Sequence, residues 1–84
     1  SPTEMKVRNY KTRWGSCDVK GRLTFNFHLI KAPHPIVDYV VIHELCHMIQ
    51  PNHSKFFWDE VAKFDPFFLN HKNWLKENGN LLIR

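Results

Sequence analysis

Pro35-Ile36-Val37-Asp38-Tyr39-Val40-Val41-Ile42-His43-Glu44-Leu45-Cys46-His47-Met48-Ile49-Gln50-Pro51-Asn52-His53 is the stretch from which the rest of the chain is read. Pro35 suits the first position of a helix. Ile36 to Gln50 is apolar nearly all round, as a buried helix is, and Pro51 and Asn52 end it. The β-branched run Val40-Val41-Ile42 alone would favour a strand. The helix therefore rests on length, on Pro35 and on the histidine spacing. His43-Glu44-Leu45-Cys46-His47 has the form H-E-x-x-H. On a helix, His43 and His47 lie about 40° apart, one turn along the same face. A single metal ion can accept a nitrogen from each, with Glu44 offset toward a metal-bound water. Once the chain has turned at Pro51-Asn52, His53 brings a third imidazole. Three protein ligands with a fourth position left to water is the pattern of a catalytic zinc rather than a structural one.

Two histidines and a carboxylate on a buried helix cost several kcal/mol unless paired or metallated. Zinc is the expected ion, because three imidazoles suit it and it hydrolyses without redox chemistry. Glu44 would take a proton from the bound water and deliver it to the leaving group. A competitor exists for the third ligand, since Asp59 and Glu60 lie on the helix that follows. His53 is preferred because Pro51-Asn52 provides a defined turn back to the metal, which leaves Asp59 or Glu60 as an acceptor for a ligand N–H or as surface charge. His28, His34 and His71 read as polar surface or core residues. The donor that would stabilise an oxyanion is left open among His71, Tyr10 and Tyr39.

Upstream, Arg13-Trp14-Gly15-Ser16-Cys17 and Leu23-Thr24-Phe25-Asn26-Phe27 flank Asp18-Val19-Lys20-Gly21, which carries turn chemistry, so 13–27 is expected to be a hairpin with Leu23, Phe25 and Phe27 inward. The first of these strands is either ordinary, with a core tryptophan, or an edge strand that pairs with an extended peptide. In the second case Arg13, Trp14 and Gly15 bind substrate, Gly15 allowing the close approach. Residues 1–12 are a frayed arm or a first strand, with 1–10 taken as a flexible arm. Downstream, Ser54 is the expected N-cap of a helix from Lys55 to about Phe64, carrying Phe57, Trp58, Val61 and Phe64 inward. Phe56 also reads as packing. A last helix is expected from Pro66 to Glu77, stopped by Asn78-Gly79.

Eighty-four residues allow one domain with one modest core. The longest apolar run, Tyr39 to Ile42, is too short to span a membrane. No basic stretch followed by an apolar block marks a signal peptide. The chain opens Ser1-Pro2 without methionine, which suggests a processed or excised form. Cys17 and Cys46 make neither a disulfide framework nor a zinc ribbon; as free thiols they point to a reducing, cytoplasmic compartment. Twelve basic against eight acidic residues give a net charge of +4, concentrated early in Lys6, Arg8, Lys11, Arg13, Lys20 and Arg22. That flank is either simply solvated or a surface for nucleic acid or a nucleotide.

The succession Arg13-Trp14-Gly15-Ser16-Cys17, Leu23 to Phe27, Asp38 to His47, Pro51-Asn52-His53-Ser54 with Phe57-Trp58, and Trp74-Leu75 resembles the YgjP-like metallopeptidase domain. The likeness covers about residues 10–79. The family is similar to the SprT and WLM proteases and belongs with the zincins. The resemblance implies an α+β minimal zincin domain, a small antiparallel sheet laid on the active-site helix with two further C-terminal helices. It also implies zinc on His43, His47 and His53, with Glu44 as catalytic acid/base. The expected function is a zinc metallopeptidase acting on peptide or protein as a monomer. Nucleotide pyrophosphatase activity, with Arg13, Lys11 or Arg22 gripping phosphate, is the alternative, and nucleic-acid-associated proteolysis of the SprT-like kind a third. Two departures stand out. Cys46 occupies a place where the family usually has a small residue such as alanine. The segment that normally precedes this region is missing, which suggests a fragment or a minimal catalytic module.

Overall fold

Asp18-Val19-Lys20-Gly21 reverses the chain as its chemistry predicts. In the computed structural model, which describes residues 4–10 and 13–83, the Asp18 carboxylate accepts the backbone N–H groups of Lys20 (2.9 Å) and Arg22 (3.0 Å). Gly21 takes φ 78°, a left-handed conformation open to glycine at little cost. The turn joins β2 (Gly15–Cys17) to β3 (Arg22–Asn26) as an antiparallel pair, with Gly15 opposite Phe25 and Cys17 opposite Leu23. Leu23 and Phe25 are buried. Phe27, expected beside them, is 52% exposed. The strand stops one residue earlier, at Asn26, whose buried side chain accepts the His28 N–H (2.9 Å) and donates to the carbonyls of Tyr10 (3.0 Å) and Arg13 (2.8 Å). Those bonds begin a 3-10 helix, Phe27–Lys31, and break the two-residue period.

β1 (Glu4–Arg8) pairs with the other side of β3 and runs parallel to it, from Glu4 opposite Arg22 to Arg8 opposite Asn26. The sheet order is β1-β3-β2. The α+β architecture is as expected, but the sheet is mixed rather than wholly antiparallel. Residues 4–8 are likewise a strand and not a flexible arm. The free edge of β3 accounts for both differences, because its backbone N–H and C=O groups need partners and β1 supplies them. Residues 1–3 of that arm, and Lys11, lie outside the described residues.

α1 (His34–Cys46) carries Pro35 in its first turn and ends before Gln50. Its exit tightens, the Met48 N–H meeting the Leu45 carbonyl at 3.1 Å and the Ile49 N–H that of Cys46 at 3.0 Å. α2 (Lys55–Phe64) is capped as expected by Ser54, whose Oγ accepts the Phe57 N–H. It buries Phe57 and Val61 completely. Phe64, expected inward, is 65% exposed, and Phe56 is exposed as well. The stripe set by Phe57 and Val61 continues at Asp65, which is buried, while Phe56 sits about 100° from Phe57 and Phe64, at the end of the helix, falls on the edge of the stripe away from Asp65. α3 (Phe68–Ile83) passes straight through the expected stop at Asn78-Gly79. Gly79 is buried against Trp14, and a Cβ there would come within 2.8 Å of Trp14 Cζ2. Its missing side chain serves helix-to-tryptophan contact, not termination.

α1 is the central element, packed against β2, α2 and α3. The core runs from Leu23 and Phe25 through Ile36, Tyr39 and Val40 to Phe57, Val61 and Leu75. Among the described residues no helix is long and apolar enough to cross a membrane.

Candidate active site

α1 delivers His43 and His47 to one face, because His47, although it caps the helix, keeps helical angles (φ −64°, ψ −21°). The turn through Ile49 and the break at Pro51 bring the chain back, and His53 meets the same point. His43 Nε2 lies 3.2 Å from His47 Nε2 and 3.2 Å from His53 Nε2. Among the described residues only these three bring donor atoms from three side chains within 4.8 Å of one another.

Several features test whether the trio suits a metal ion. Arms of about 2.0–2.1 Å from a tetrahedral zinc put its ligands roughly 3.3–3.4 Å apart, close to the separations here. The Gln50 carbonyl, 3.2 Å from His47 Nδ1, can only accept, so Nδ1 carries the proton and Nε2 keeps its lone pair toward the cluster. Burial, reinforced by His47, His53 and Lys72, pushes the His43 pKa down to about 4, and burial lowers His47 as well. Neutral imidazole is the ligating form. His43 Nδ1 is buried without a partner among the described residues. The donor set fits a divalent ion on three Nε2 atoms.

Glu44 sits beside the cluster and is only 6% exposed. Burial raises its pKa to about 7, against a smaller opposing effect of the Arg13 charge. A carboxyl poised near neutrality can both accept and return a proton. It is held by β2: a Cβ on Gly15 would lie 3.0 Å from Glu44 Cγ, 3.1 Å from its Oε2 and 3.2 Å from the Thr24 carbonyl oxygen. The close approach expected at Gly15 is thus an approach to Glu44. β2 is an edge strand, and the cleft of about 400 Å³ between its Gly15–Cys17 edge and the histidines is open to an extended chain.

Trp14, just before β2, lies half-buried against Gly79, where it forms one wall of a neighbouring cavity. The Arg13 guanidinium lies over the Tyr10 ring, 5.5 Å from its centroid. Of the three candidate oxyanion donors, Tyr39 lines the cavity shared by His43 and Glu44. Burial, together with the Asp65 and Glu44 charges, drives its pKa to about 12, so it remains an O–H donor. His71 Nδ1 is instead bound to Asp65 Oδ2 at 2.7 Å, facing a different cavity. Asp59 and Glu60 pair with Lys55 (2.8 Å) and Lys63 (2.7 Å), and neither joins the cluster. Arg22 pairs with Asp18 at the hairpin tip. His28 contacts Asn9 and Lys31. The Cys46 thiol packs in the core and is not one of the clustered donors.

Phe57 and Trp58, expected to be plain packing, belong to the site. The Phe57 ring stacks on His47 (centroids 4.4 Å) and meets His43 and His53 edge-on (5.0 Å each), while Trp58 stacks on His53 (5.8 Å). Their position directly after the third histidine and its N-cap was the available signal. Lys72, which lines the cavity beside His43 and Glu44, carries no signal in the sequence short of the fold.

The family model of the YgjP-like metallopeptidase domain matches residues 1–78. Among solved structures, the chain is similar to the metallopeptidase zymogen of Pyrococcus abyssi abylysin, with 27% identity, a TM-score of 0.70, and coverage of 79% of this chain and 67% of that one. A search of curated protein sequences finds no match.

Proposed function

The chain belongs to the YgjP-like metallopeptidase domain family, and from that premise we propose that residues 1–84 form one catalytic unit, a zinc peptidase with its ion on His43, His47 and His53 and with Glu44 as its acid/base. The observation that carries this reading is the convergence of three Nε2 atoms beside a buried carboxyl whose pKa is near 7. When bound, zinc supplies a Lewis acid and lowers the pKa of water to about 7.

The protein's own residues do the rest. The edge of β2 pairs with an extended peptide and lays its scissile bond along the cleft. Glu44, fixed by Gly15, takes the proton of the attacking water on a carboxylate oxygen and returns it to the departing amine. Tyr39 donates its hydroxyl to the developing oxyanion. Trp14 and Arg13 flank the strand that holds the substrate. Of the residues in the phosphate-gripping alternative, Arg22 is engaged by Asp18 and Arg13 lies over Tyr10, while Lys11 lies outside the described residues. The free thiols of Cys17 and Cys46 suit a reducing cytoplasm.

Glu44→Gln tests the assignment. The variant should keep its fold and zinc content while peptide hydrolysis falls by at least about 10²-fold. Zinc lost together with activity would make Glu44 structural, and full activity would refute the mechanism.

A further inference from the structure

Next to the histidine cleft lies a second cavity of about 340 Å³, and Glu44 and Gly15 line both. Trp14 and Leu75 give it apolar walls, and α3 contributes Lys72 and Lys76 to its lining. Three lysines elsewhere are matched with carboxylates, Lys6 with Glu4, Lys55 with Asp59 and Lys63 with Glu60, and Lys31 is held by His28 and the Leu82 carbonyl. Here Lys72 lies over the face of Trp58, 4.7 Å from its centroid, a contact that leaves its N–H donors free. Among the described residues no carboxylate pairs with either Lys72 or Lys76. Two like charges one turn apart on a helix oppose its stability, and the contact with Trp58 offsets that repulsion only at Lys72.

We propose that this cavity selects a carboxylate on the substrate residue that follows the scissile bond, with Lys72 and Lys76 as its specificity-determining residues. The inference rests on the peptidase reading above. A peptide adding antiparallel to β2 runs from the Cys17 end toward the Gly15 end. The cavity lies at the Gly15 end, so it receives the residue on the C-terminal side of the bond. A carboxylate arrives there either as an Asp or Glu side chain or as the free C-terminus of a peptide cut one residue from its end. The apolar walls take the methylenes and the lysines take the charge. The lysines also offset repulsion from Glu44, which a carboxylate brought this close would otherwise meet.

The experiment uses isosteric peptide pairs, Glu against Gln at that position, each with a free and an amidated C-terminus one residue or many residues downstream. Cleavage is followed with the zinc-loaded wild type, and binding by calorimetry with the zinc-loaded Glu44→Gln protein. Charge-assisted contacts in a partly open cavity should favour Glu over Gln by roughly 5- to 10-fold in both readouts. The double variant Lys72→Met/Lys76→Met should bring the ratio to about 1, and Lys76→Glu should favour a Lys peptide. A preference that follows the free C-terminus instead of the side chain places the same carboxylate from the other source. Equal binding and cleavage of Glu and Gln peptides with either terminus overturns the inference and leaves the peptidase reading standing. Cleavage of neither, with no binding difference, removes both.

Discussion

Gly15→Ala isolates the contact between strand and base. The backbone at Gly15 has no left-handed angle, so alanine meets no conformational obstacle, only a lack of space. Its Cβ would stand 3.0 Å from Glu44 Cγ and 3.1 Å from Oε2, with the Thr24 carbonyl at 3.2 Å on the other side. Ordinary carbon contacts are about 3.5–4.0 Å. The Thr24 oxygen belongs to the β3 backbone and is held in the sheet, so Glu44 is the group that gives way, by about half an ångström or more. Overpacking of this kind costs about 1–3 kcal/mol, which in a domain of this size lowers Tm by about 4–8 °C per kcal/mol. Displacing a catalytic group by about 1 Å can cost about 10²-fold in rate. The expected variant therefore folds, binds its full complement of zinc and loses about 10- to 100-fold in kcat/KM. Gly21→Ala is the control. It strains the hairpin tip, where φ is 78°, by about 1–2 kcal/mol, and should lose stability while keeping its rate per folded molecule. Kinetics, metal analysis and thermal melts on both variants decide the matter. If Gly15→Ala kept the wild-type rate, or lost zinc, strand β2 would not be what holds Glu44.

Chelation should destabilise the domain: an ion held at 100 times its Kd contributes about 2.7 kcal/mol, so melts of zinc-loaded and chelated protein should differ by at least roughly 10 °C, and coincident curves would speak against a metal site in the fold. His53→Ala should lower zinc affinity by orders of magnitude, whereas Glu60→Gln, which breaks only a surface pair with Lys63, should leave it unchanged; competition with a chromophoric chelator reads both, and the reverse ranking would move the third ligand to α2. Gly79→Ala gains about 1 kcal/mol in helix propensity but drives its Cβ to 2.8 Å from the Trp14 ring, so it should melt several degrees lower; a rise in Tm would show that Trp14 is free to move.

Much of this site was legible because its spacing is local. His43, Glu44 and His47 need only one helical turn to be placed, and Pro51 fixes the return of His53. Ser54 as a cap and Asp18 to Gly21 as a turn follow from side-chain bonds to neighbouring backbone, which any sequence reading can anticipate. The misreadings share a different cause. Phe27 and Phe64 each lie one step beyond the last buried apolar position of their pattern, beside a buried polar residue, Asn26 or Asp65, that takes the inward place. Gly79 was read as a helix stop because its partner, Trp14, lies 65 positions away in sequence. The parallel partner of β3 was hidden for the same reason, and so was the pairing of α3 lysines with the metal-side cavity. Local chemistry is written in the spacing; close approach between distant segments is not.

The arrangement of α2 shows why the site cannot be detached from the core. Phe57 is completely buried, and its ring lies within 4.4–5.0 Å of all three imidazole centroids. The burial that pins α2 to α1 therefore also fixes the histidine rings, stacking one and bracing two by their edges. Trp58 extends this: it stacks on both His53 and Phe68, with centroids 5.8 and 5.3 Å away. His53 comes from an exposed loop and has no helix of its own to orient it, so the aromatic pair supplies the rigidity that α1 gives the other two. The core formed by the described residues is too small to keep packing and chemistry separate. One apolar ring serves both, since the Phe57 that fills the core also packs on the three imidazoles whose Nε2 atoms converge.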